Sequence, residues 1–218
     1  MNILVIDIGG NNVKIMATGE NEKRKFASGP DLTPKRMVTD VKELAAGWSY
    51  EAISIGFPGP VRNNRPQREP VNLGKGDWVN FNYEEAFGCP VKMINDAAIQ
   101  ALGSYEGGKM LFLGLGTGLG TTLIDEQHIV AMELGHLPYK KDQTFEEYLG
   151  IQGLNKTGKK KWQKNVFIVV EKLRAALLPD YIILGGGNSK KLSALPPDTR
   201  LGDNLNAFKG GFRLWDKS

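Results

Sequence analysis

The sequence predicts an α/β protein built from two similar lobes that face each other across a cleft. Short apolar runs of strand length alternate with segments of helical spacing along the chain. A glycine turn between two apolar strands occurs once in each half, at Gly9-Gly10 and at Gly116-Thr117-Gly118, and no linker-like stretch separates the halves. We therefore expect an N-terminal lobe over residues 1–95, a C-terminal lobe over 96–202, and a tail, 203–218, that packs back on the first lobe.

Eight strands are predicted from apolar runs that end at glycine, proline or polar residues. They cover residues 2–7, 13–17, 25–27, 52–57, 91–94, 110–115, 118–124 and 181–184. The first three are close enough in sequence to form an antiparallel meander. The stretch 62–78 is rich in Asn, Arg, Pro and Gly, which predicts a loop.

Helices are predicted where helix-starting residues precede apolar residues at helical spacing. The clearest begins at Thr33-Pro34, since Pro is tolerated in a first turn, and it stops at Gly47. The other predicted helices cover 95–102, 145–149, 161–177 and 204–208, and a further one follows the glycines at 185–187.

Composition narrows the possible classes of protein. The 218 residues include one cysteine, Cys89, so an internal disulfide and a multi-cysteine zinc site are excluded. No apolar run approaches the roughly 20 residues that span a bilayer, and the N-terminus lacks the features of a signal peptide. We therefore expect a cytoplasmic protein that does not bind membranes. The net charge of +4 includes a patch at Lys159–Lys161 and Lys164, which is either a solvated helix face or a polyanion site.

The first glycine turn, Asp7-Ile8-Gly9-Gly10-Asn11-Asn12, has the residue types of a phosphate site. Glycine lets backbone N–H groups approach an anion without an intervening side chain. A carboxylate at a strand end, here Asp7, can hold Mg²⁺ through water. Lys14 follows the turn and is either a cation for donor phosphates or an exposed strand residue. The same pattern also occurs in plain hairpins.

The second turn has glycine at alternate positions from Gly114 to Gly120, which would weaken a strand unless a ligand must approach the backbone. The hydroxyls of Thr117, Thr121 and Thr122 are expected to donate to phosphate oxygens. It is neither a P-loop nor a Rossmann turn, because no Gly-Lys-Ser/Thr closes it and it leads into a strand. A third loop, Gly185-Gly186-Gly187-Asn188, is expected to pack against a nucleotide base or ribose.

Together these three loops resemble the two phosphate motifs and the adenosine motif of the actin, sugar kinase and heat-shock ATPase superfamily. The segments Gly56–Pro60, Ile94–Ala98 and Glu133–His136 resemble the ROK family (repressor, open reading frame, kinase). The tail from Gly202 to Trp215 is similar to the polyphosphate glucokinase branch. The resemblance implies an actin-like ATPase (ribonuclease H-like) fold with its active site in the cleft between the lobes. No DNA-binding helical module precedes Asp7, which argues against a repressor.

The resemblance also implies the roles of individual residues. Asp96 matches the general base, although Asn95-Asp96 is also a typical helix N-cap. The implied sugar ligands are Asn95, Glu133, His136, Glu146 and Gly59, with His136 alternatively a packed loop residue. The implied phosphate and nucleotide ligands are Asp7, Gly9, Gly10, Asn11, Asn12, Lys14, Gly116, Thr117, Gly118, Gly186 and Gly187. Many relatives bind zinc through a histidine and downstream cysteines, but no cysteine follows Cys89, so no zinc site is expected.

Two functions remain open at the level of sequence. The first is a magnesium-dependent kinase that phosphorylates the 6-hydroxyl of glucose or a similar hexose from ATP, inorganic polyphosphate or both. The second is a catalytically weak sugar or nucleotide sensor, because active kinases usually carry Gly or Ser/Thr where Asn11-Asn12 stand. Small molecules are the expected partners, with no nucleic acid, and a homodimer is implied by the resemblance alone.

Overall fold

The computed structural model of the protein describes residues 1–203 and 205–216. The chain divides into two compact units. One contains Met1–Gly103 together with the tail from Ala207, and the other contains Ser104–Asn206. The predicted border after residue 95 falls at the start of a helix, and the first unit continues along that helix to Gly103.

The strands of the described residues are β1 (Ile3–Ile8), β2 (Asn12–Ala17), β3 (Arg24–Ala27), β4 (Ala52–Phe57), β5 (Val61–Arg62), β6 (Arg65–Pro66), β7 (Val91–Asn95), β8 (Lys109–Leu115), β9 (Leu119–Asp125), β10 (His128–Met132), β11 (Pro138–Lys140), β12 (Gln143–Thr144), β13 (Tyr181–Gly185) and β14 (Thr199–Leu201). The α-helices are α1 (Pro34–Leu44), α2 (Tyr83–Phe87), α3 (Asp96–Ser104), α4 (Phe145–Leu149), α5 (Ile151–Leu177) and α6 (Asn206–Arg213).

The sheet of the first unit has the order β3-β2-β1-β4-β7. Strands β1, β2 and β3 are antiparallel neighbours, which confirms the predicted meander. Strands β4 and β7 add to β1 in parallel. Every residue of β1 and β4 is buried, because parallel strands covered on both faces have no exposed alternation.

The sheet of the second unit has the order β10-β9-β8-β13-β14. It repeats the arrangement of the first sheet, with an antiparallel meander of β8, β9 and β10 followed by β13 and β14 in parallel. The predicted likeness of the two halves is therefore confirmed. Strands β10 and β14, which were not predicted, are the two edges of this sheet.

Helix boundaries follow local chemistry. Thr33 is the N-cap of α1, because its side chain accepts a hydrogen bond from the N–H of Arg36, as the sequence predicted. Helix α5 begins at Ile151, ten residues before the predicted start. It is interrupted at Gly158, whose φ of 75° and ψ of 159° are not helical. The loop 62–78 is confirmed except for the short β5–β6 hairpin, which turns at Asn63 and Asn64 with positive φ.

The tail packs on the first unit. In α6, Ala207 and Phe208 are buried in one apolar cluster with Ile3 and Val5 of β1. Further on, the Ser54 hydroxyl donates to a tail carbonyl, that of Gly211, at 2.6 Å. Position 204, where this helix was predicted to start, lies outside the described residues. Within the residues that the structure covers, no helix has the length and apolarity needed to cross a membrane.

Candidate active site

In the turn between β1 and β2, the carbonyl groups of Gly9, Asn11 and Asn12 accept hydrogen bonds from other groups of the protein. The Gly9 N–H donates to the Asn12 carbonyl at 3.0 Å. Ser28 holds the other side, since its N–H donates to the Asn11 carbonyl at 3.1 Å and its hydroxyl to the Gly9 carbonyl at 2.6 Å. Among the described residues, the N–H groups of Gly10 and Asn11 have no hydrogen-bond partner. Two adjacent N–H groups without partners are what an anion-binding turn requires.

Asp7 and Lys14 form an ion pair beside this turn. They are direct cross-strand partners in the β1–β2 register, and Lys14 Nζ lies 3.2 Å from Asp7 Oδ2. Asp7 is 7% exposed, so its carboxylate needs a partner that offsets the cost of burial. The Lys14 side chain is 37% exposed, so it is accessible to a further partner.

The carboxyl ends of three parallel strands meet at one edge of the first sheet. Asp7 of β1 is in register with Gly56 of β4, and Gly56 with Ile94 of β7. Because neighbouring strands lie about 4.8 Å apart, Asp7 is about 10 Å from Ile94 across the sheet. Asn95 and Asp96 follow directly. In α/β proteins, ligands bind at this edge.

Asn95 and Asp96 take different positions at the start of α3. Asn95 Oδ1 accepts hydrogen bonds from the N–H groups of Ala97 at 2.9 Å and Ala98 at 3.2 Å, and its Nδ2 donates to the Gly59 carbonyl at 3.1 Å. Asn95 is therefore the cap of the helix and ties it to the loop after β4. Asp96 is the first helical residue, and its Oδ1 accepts from the N–H of Ala97 at 2.8 Å.

The turn between β8 and β9 repeats the pattern of the first turn. The Gly116 N–H donates to the Gly118 carbonyl at 3.1 Å. The Gly116 carbonyl accepts from the Ile151 N–H at 3.1 Å and from Asn188 Nδ2 at 2.8 Å. The N–H groups of Thr117 and Gly118 have no partner in the part of the chain that the structure describes. This turn too presents adjacent free N–H groups.

Glu146, predicted as a sugar ligand, lies against the second turn. Its Oε2 accepts the N–H of Leu119 at 3.1 Å. A Cβ atom added at Gly118 would overlap the Glu146 carboxylate, so a side chain there would displace the carboxylate from its present position. Helix α4, which carries Glu146, starts with a capping box between Thr144 and Glu147. The Thr144 N–H holds the pKa of the Glu147 carboxyl below its usual value.

The third glycine loop packs on the second turn. Gly186 has a φ of +78°, and a Cβ atom there would overlap the backbone of Leu115. The N–H of Asn188 donates to the Leu115 carbonyl at 2.8 Å. The predicted helix after this loop is only a turn of 3₁₀-helix, Ser189–Lys191. Gly187, by contrast, is exposed.

Glu133 and His136 form a pair in the second unit. His136 Nε2 lies 3.4 Å from Glu133 Oε2, and the side chains are 62% and 55% exposed. The segment that carries them is fixed by Thr121, whose hydroxyl donates to the Met132 carbonyl at 2.7 Å and accepts the Leu134 N–H at 3.1 Å. Two exposed polar groups on a fixed backbone are suited to bind hydroxyl groups.

The predicted phosphate contacts of Thr121 and Thr122 are wrong. Both residues belong to β9, not to the turn, and both are buried. Thr121 supports the segment of Glu133 and His136, and the Thr122 hydroxyl is buried without a partner among the described residues. Only Thr117 of the three stands at the turn itself.

Side chains for which the sequence predicted no such role support both turns. Ser28 fixes the first turn and Asn188 the second, and Asn72 lies 3.9 Å from where a Gly10 side chain would begin. Ser28 is 19 residues from Gly9, so no local pattern signals the contact. The described residues contain no group of three His, Cys, Asp or Glu side chains placed to hold a metal ion.

Two units with the same strand order, each with a glycine turn after its first strand, define an α/β protein of the actin-like ATPase fold. This confirms the predicted fold class. A family model described as ROK family matches residues 3–151. The chain belongs to the ROK family.

Comparisons with individual proteins agree with this assignment. A polyphosphate glucokinase from Mycobacterium tuberculosis is 26% identical over 213 residues, which cover 88% of this chain and 80% of that protein. The structure of an inorganic polyphosphate/ATP-glucomannokinase from Arthrobacter sp. strain KM superposes with a TM-score of 0.81, with 22% identity and 96% of each chain covered. A ROK family glucokinase from Streptomyces griseus, solved with glucose and AMPPNP, gives a TM-score of 0.73, with 18% identity and coverage of 96% of this chain and 97% of that one.

Proposed function

We propose that the protein is a sugar kinase that transfers a phosphoryl group from ATP or inorganic polyphosphate to the 6-hydroxyl of glucose or a similar hexose. The observation that carries the proposal is the edge of the first sheet, where Asp7 and the free N–H groups of the first turn lie at the end of β1, and Asp96 follows the end of β7, two strands away. The relatives named as polyphosphate glucokinases support the choice of acceptor and donor.

On the acceptor side, Asp96 is the proposed general base. A sugar hydroxyl is a weak nucleophile, and a carboxylate within hydrogen-bond reach orients it and takes its proton. As the new bond from the sugar oxygen to phosphorus forms, the bond from phosphorus to the donor's bridging oxygen breaks, and the shortened donor leaves. Asn95 positions Asp96 through its cap of α3. We assign sugar-binding roles to Asn95, Gly59, Glu133, His136 and Glu146.

On the donor side, the free N–H groups of the glycine turns are the proposed phosphate ligands. They belong to Gly10 and Asn11 in one unit and to Thr117 and Gly118 in the other. Phosphoryl transfer needs positioning and charge neutralisation more than covalent chemistry from the protein. Lys14, with its partly exposed side chain, adds a positive charge beside the first turn.

The residues present fit a magnesium ion bound together with the donor. Mg²⁺ in kinases is usually held by one or two carboxylates, by water and by substrate phosphates, not by a cage of protein ligands. Asp7 supplies one carboxylate at the strand end, where it is already paired with a cation, Lys14, at 3.2 Å. When bound, the ion would neutralise the charge that develops on the phosphate oxygens.

The presence of Asn at positions 11 and 12, where active kinases usually carry Gly or Ser/Thr, is weaker support for a sensor once the contacts of the first turn are considered. The anion-binding groups of the first turn are backbone N–H groups, and the Asn11 and Asn12 carbonyls are bound within the protein. A change of side chain at these positions therefore leaves the phosphate ligands in place. We favour the enzyme over the sensor for this reason.

A coupled assay that offers glucose with ATP and, in parallel, with polyphosphate tests the proposal. Formation of glucose 6-phosphate with either donor, dependent on Mg²⁺, is the expected result. Glucose binding, detected as an increase in melting temperature, without product from either donor would favour the sensor instead. A cytoplasmic location and a homodimer stay predictions, and sedimentation of the purified protein tests the second.

A further inference from the structure

A groove of about 800 Å³ lies on the second unit, along the second part of α5. Its lining includes three lysines, Lys159, Lys160 and Lys164, but most of its surface is apolar and includes Phe167 and Ile168. None of the predicted sugar, phosphate or nucleotide ligands lines it. The groove is thus distinct from every residue to which the proposed function gives a role.

The groove is fixed by the local structure of α5. Beyond the break at Gly158 the helix restarts with Lys159. Trp162 is fully buried, and its indole N–H donates to the Leu149 carbonyl at 2.8 Å, which fixes the face of the helix that points inward. Lys160 and Lys164, four residues apart, share the outer face.

A second segment closes the other side of the groove. Gln163 Oε1 accepts hydrogen bonds from both the N–H and the hydroxyl of Ser193, at 2.9 and 2.8 Å. Ser193 also lines the groove. Both walls therefore belong to one unit and are joined by side-chain contacts.

The charged residues in the segments that form the groove are all positive. The chain contains five lysines and no Asp or Glu from residue 148 to 170, and two lysines and no acid from 181 to 197. None of the three groove lysines pairs with a described carboxylate. Lysines that share a helix face without acidic partners repel one another, and a bound polyanion relieves this repulsion.

The groove is close to the second glycine turn within the same unit. Asn188 donates to the Gly116 carbonyl of that turn, and Ser193 of the groove follows five residues later. Five residues span at most about 17 Å. Ser193 of the groove therefore lies no more than about 17 Å from Asn188, a distance that a linear polyanion can span.

We infer that the groove binds the distal part of an inorganic polyphosphate donor while the part nearer its reacting end lies at the second glycine turn. The inference rests on the proposed function and adds a binding site to it. Polyphosphate fits better than a nucleic acid, because proteins that bind single strands stack successive bases on several aromatic side chains, and Phe167 is the one aromatic group among the described residues that line the groove.

The test compares Lys160→Gln/Lys164→Gln with a matched control, Lys23→Gln/Lys35→Gln, which removes the same charge from exposed positions of the first unit. The donors are ATP, tripolyphosphate and long-chain polyphosphate. Only the long chain occupies the turn and the groove together. The groove variant should raise KM for long-chain polyphosphate about tenfold. Its KM for ATP and for tripolyphosphate, and the kinetics of the control, should match the wild type.

Direct binding separates failure of this inference from failure of the proposed function. Long-chain polyphosphate should bind the wild type, and the groove variant should reduce the slope of log Kd against log salt by roughly 1 to 2. Binding that depends on the lysines in a protein without turnover would support the groove and contradict the kinase. Turnover with unchanged KM in the groove variant would overturn the inference alone. Tighter binding of single-stranded RNA than of long-chain polyphosphate would also overturn the inference. A groove variant whose sole change is its oligomeric state would overturn it too.

Discussion

Replacement of Glu146 by alanine removes the carboxylate that holds the second glycine turn. In the wild type, Glu146 Oε2 accepts the N–H of Leu119 at 3.1 Å, and Gly118 packs directly on the carboxylate. Glu146→Gln keeps an acceptor oxygen on a side chain of the same length. The two variants therefore separate loss of the negative charge from loss of the hydrogen bond.

The size of the effect follows from the burial of the donor. A hydrogen bond to a charged group contributes about 1.5–3 kcal/mol, and a neutral one about 1 kcal/mol. Leu119 is 3% exposed, so water does not readily replace the lost acceptor. We expect the free energy of local opening at Leu119 to fall by about 2 kcal/mol in Glu146→Ala and by about 1 kcal/mol in Glu146→Gln.

Amide hydrogen exchange measures this opening directly. The expected changes correspond to exchange at Leu119 about 30-fold faster in Glu146→Ala and about 5-fold faster in Glu146→Gln. The amides of β13 are the internal control, because the hydrogen bond of Glu146 is made to Leu119 of β9 and not to that strand. Unaltered protection of Leu119 in Glu146→Ala, or equal acceleration in β13, would refute the assigned role.

Three further predictions follow from other contacts. Ser28→Ala removes the hydroxyl that binds the Gly9 carbonyl of the first turn. In steady-state kinetics this variant should raise the KM for the phosphoryl donor about fivefold with little change in kcat. A fall in kcat alone would contradict this prediction. Gly210→Ala adds a Cβ atom that overlaps the Ile99 carbonyl and should lower the free energy of unfolding by about 1–3 kcal/mol, and an unchanged urea midpoint would count against the tail packing. Hydrogen bonds in the capping box lower the pKa of the Glu147 carboxyl in the folded protein. The ionised carboxylate therefore stabilises the fold at pH values above the pKa that this group has in the unfolded chain. This stabilisation is lost as the pH falls through the pKa of the folded state. The urea midpoints of Glu147→Gln and the wild type should therefore converge from about pH 7 to about pH 3, and a constant difference would exclude this linkage.

The antiparallel part of each sheet was largely predictable from sequence because it leaves a local pattern. Apolar strands on both sides of a glycine turn predicted the antiparallel pairing of β1 with β2 and of β8 with β9. Strand β10 was missed although Ile129 to Met132 is an apolar run; in the fold it is an edge strand with exposed or only half-buried residues that pairs with β9. Strand β14 was also not predicted, since it is short and mostly exposed.

The site was predictable as a set of motifs but not as a set of contacts. Thr121 and Thr122 were assigned to the turn because the glycines continue to Gly120, yet β9 begins at Leu119. Once in a strand, their side chains are set by the sheet and not by the turn. Ser28 reaches Gly9 through the pairing of β3 with β2, and such long-range contacts leave no local signal.

Turnover of Asp96→Asn tests the central claim most directly. Asn keeps the size of the side chain and an oxygen that can accept the Ala97 N–H, so α3 and the melting temperature should be preserved. Loss of a general base lowers the rate by a factor of about 10²–10⁴, and we expect kcat for glucose phosphorylation to fall by that amount with either donor. A folded Asp96→Asn variant with the kcat of the wild type would contradict the account.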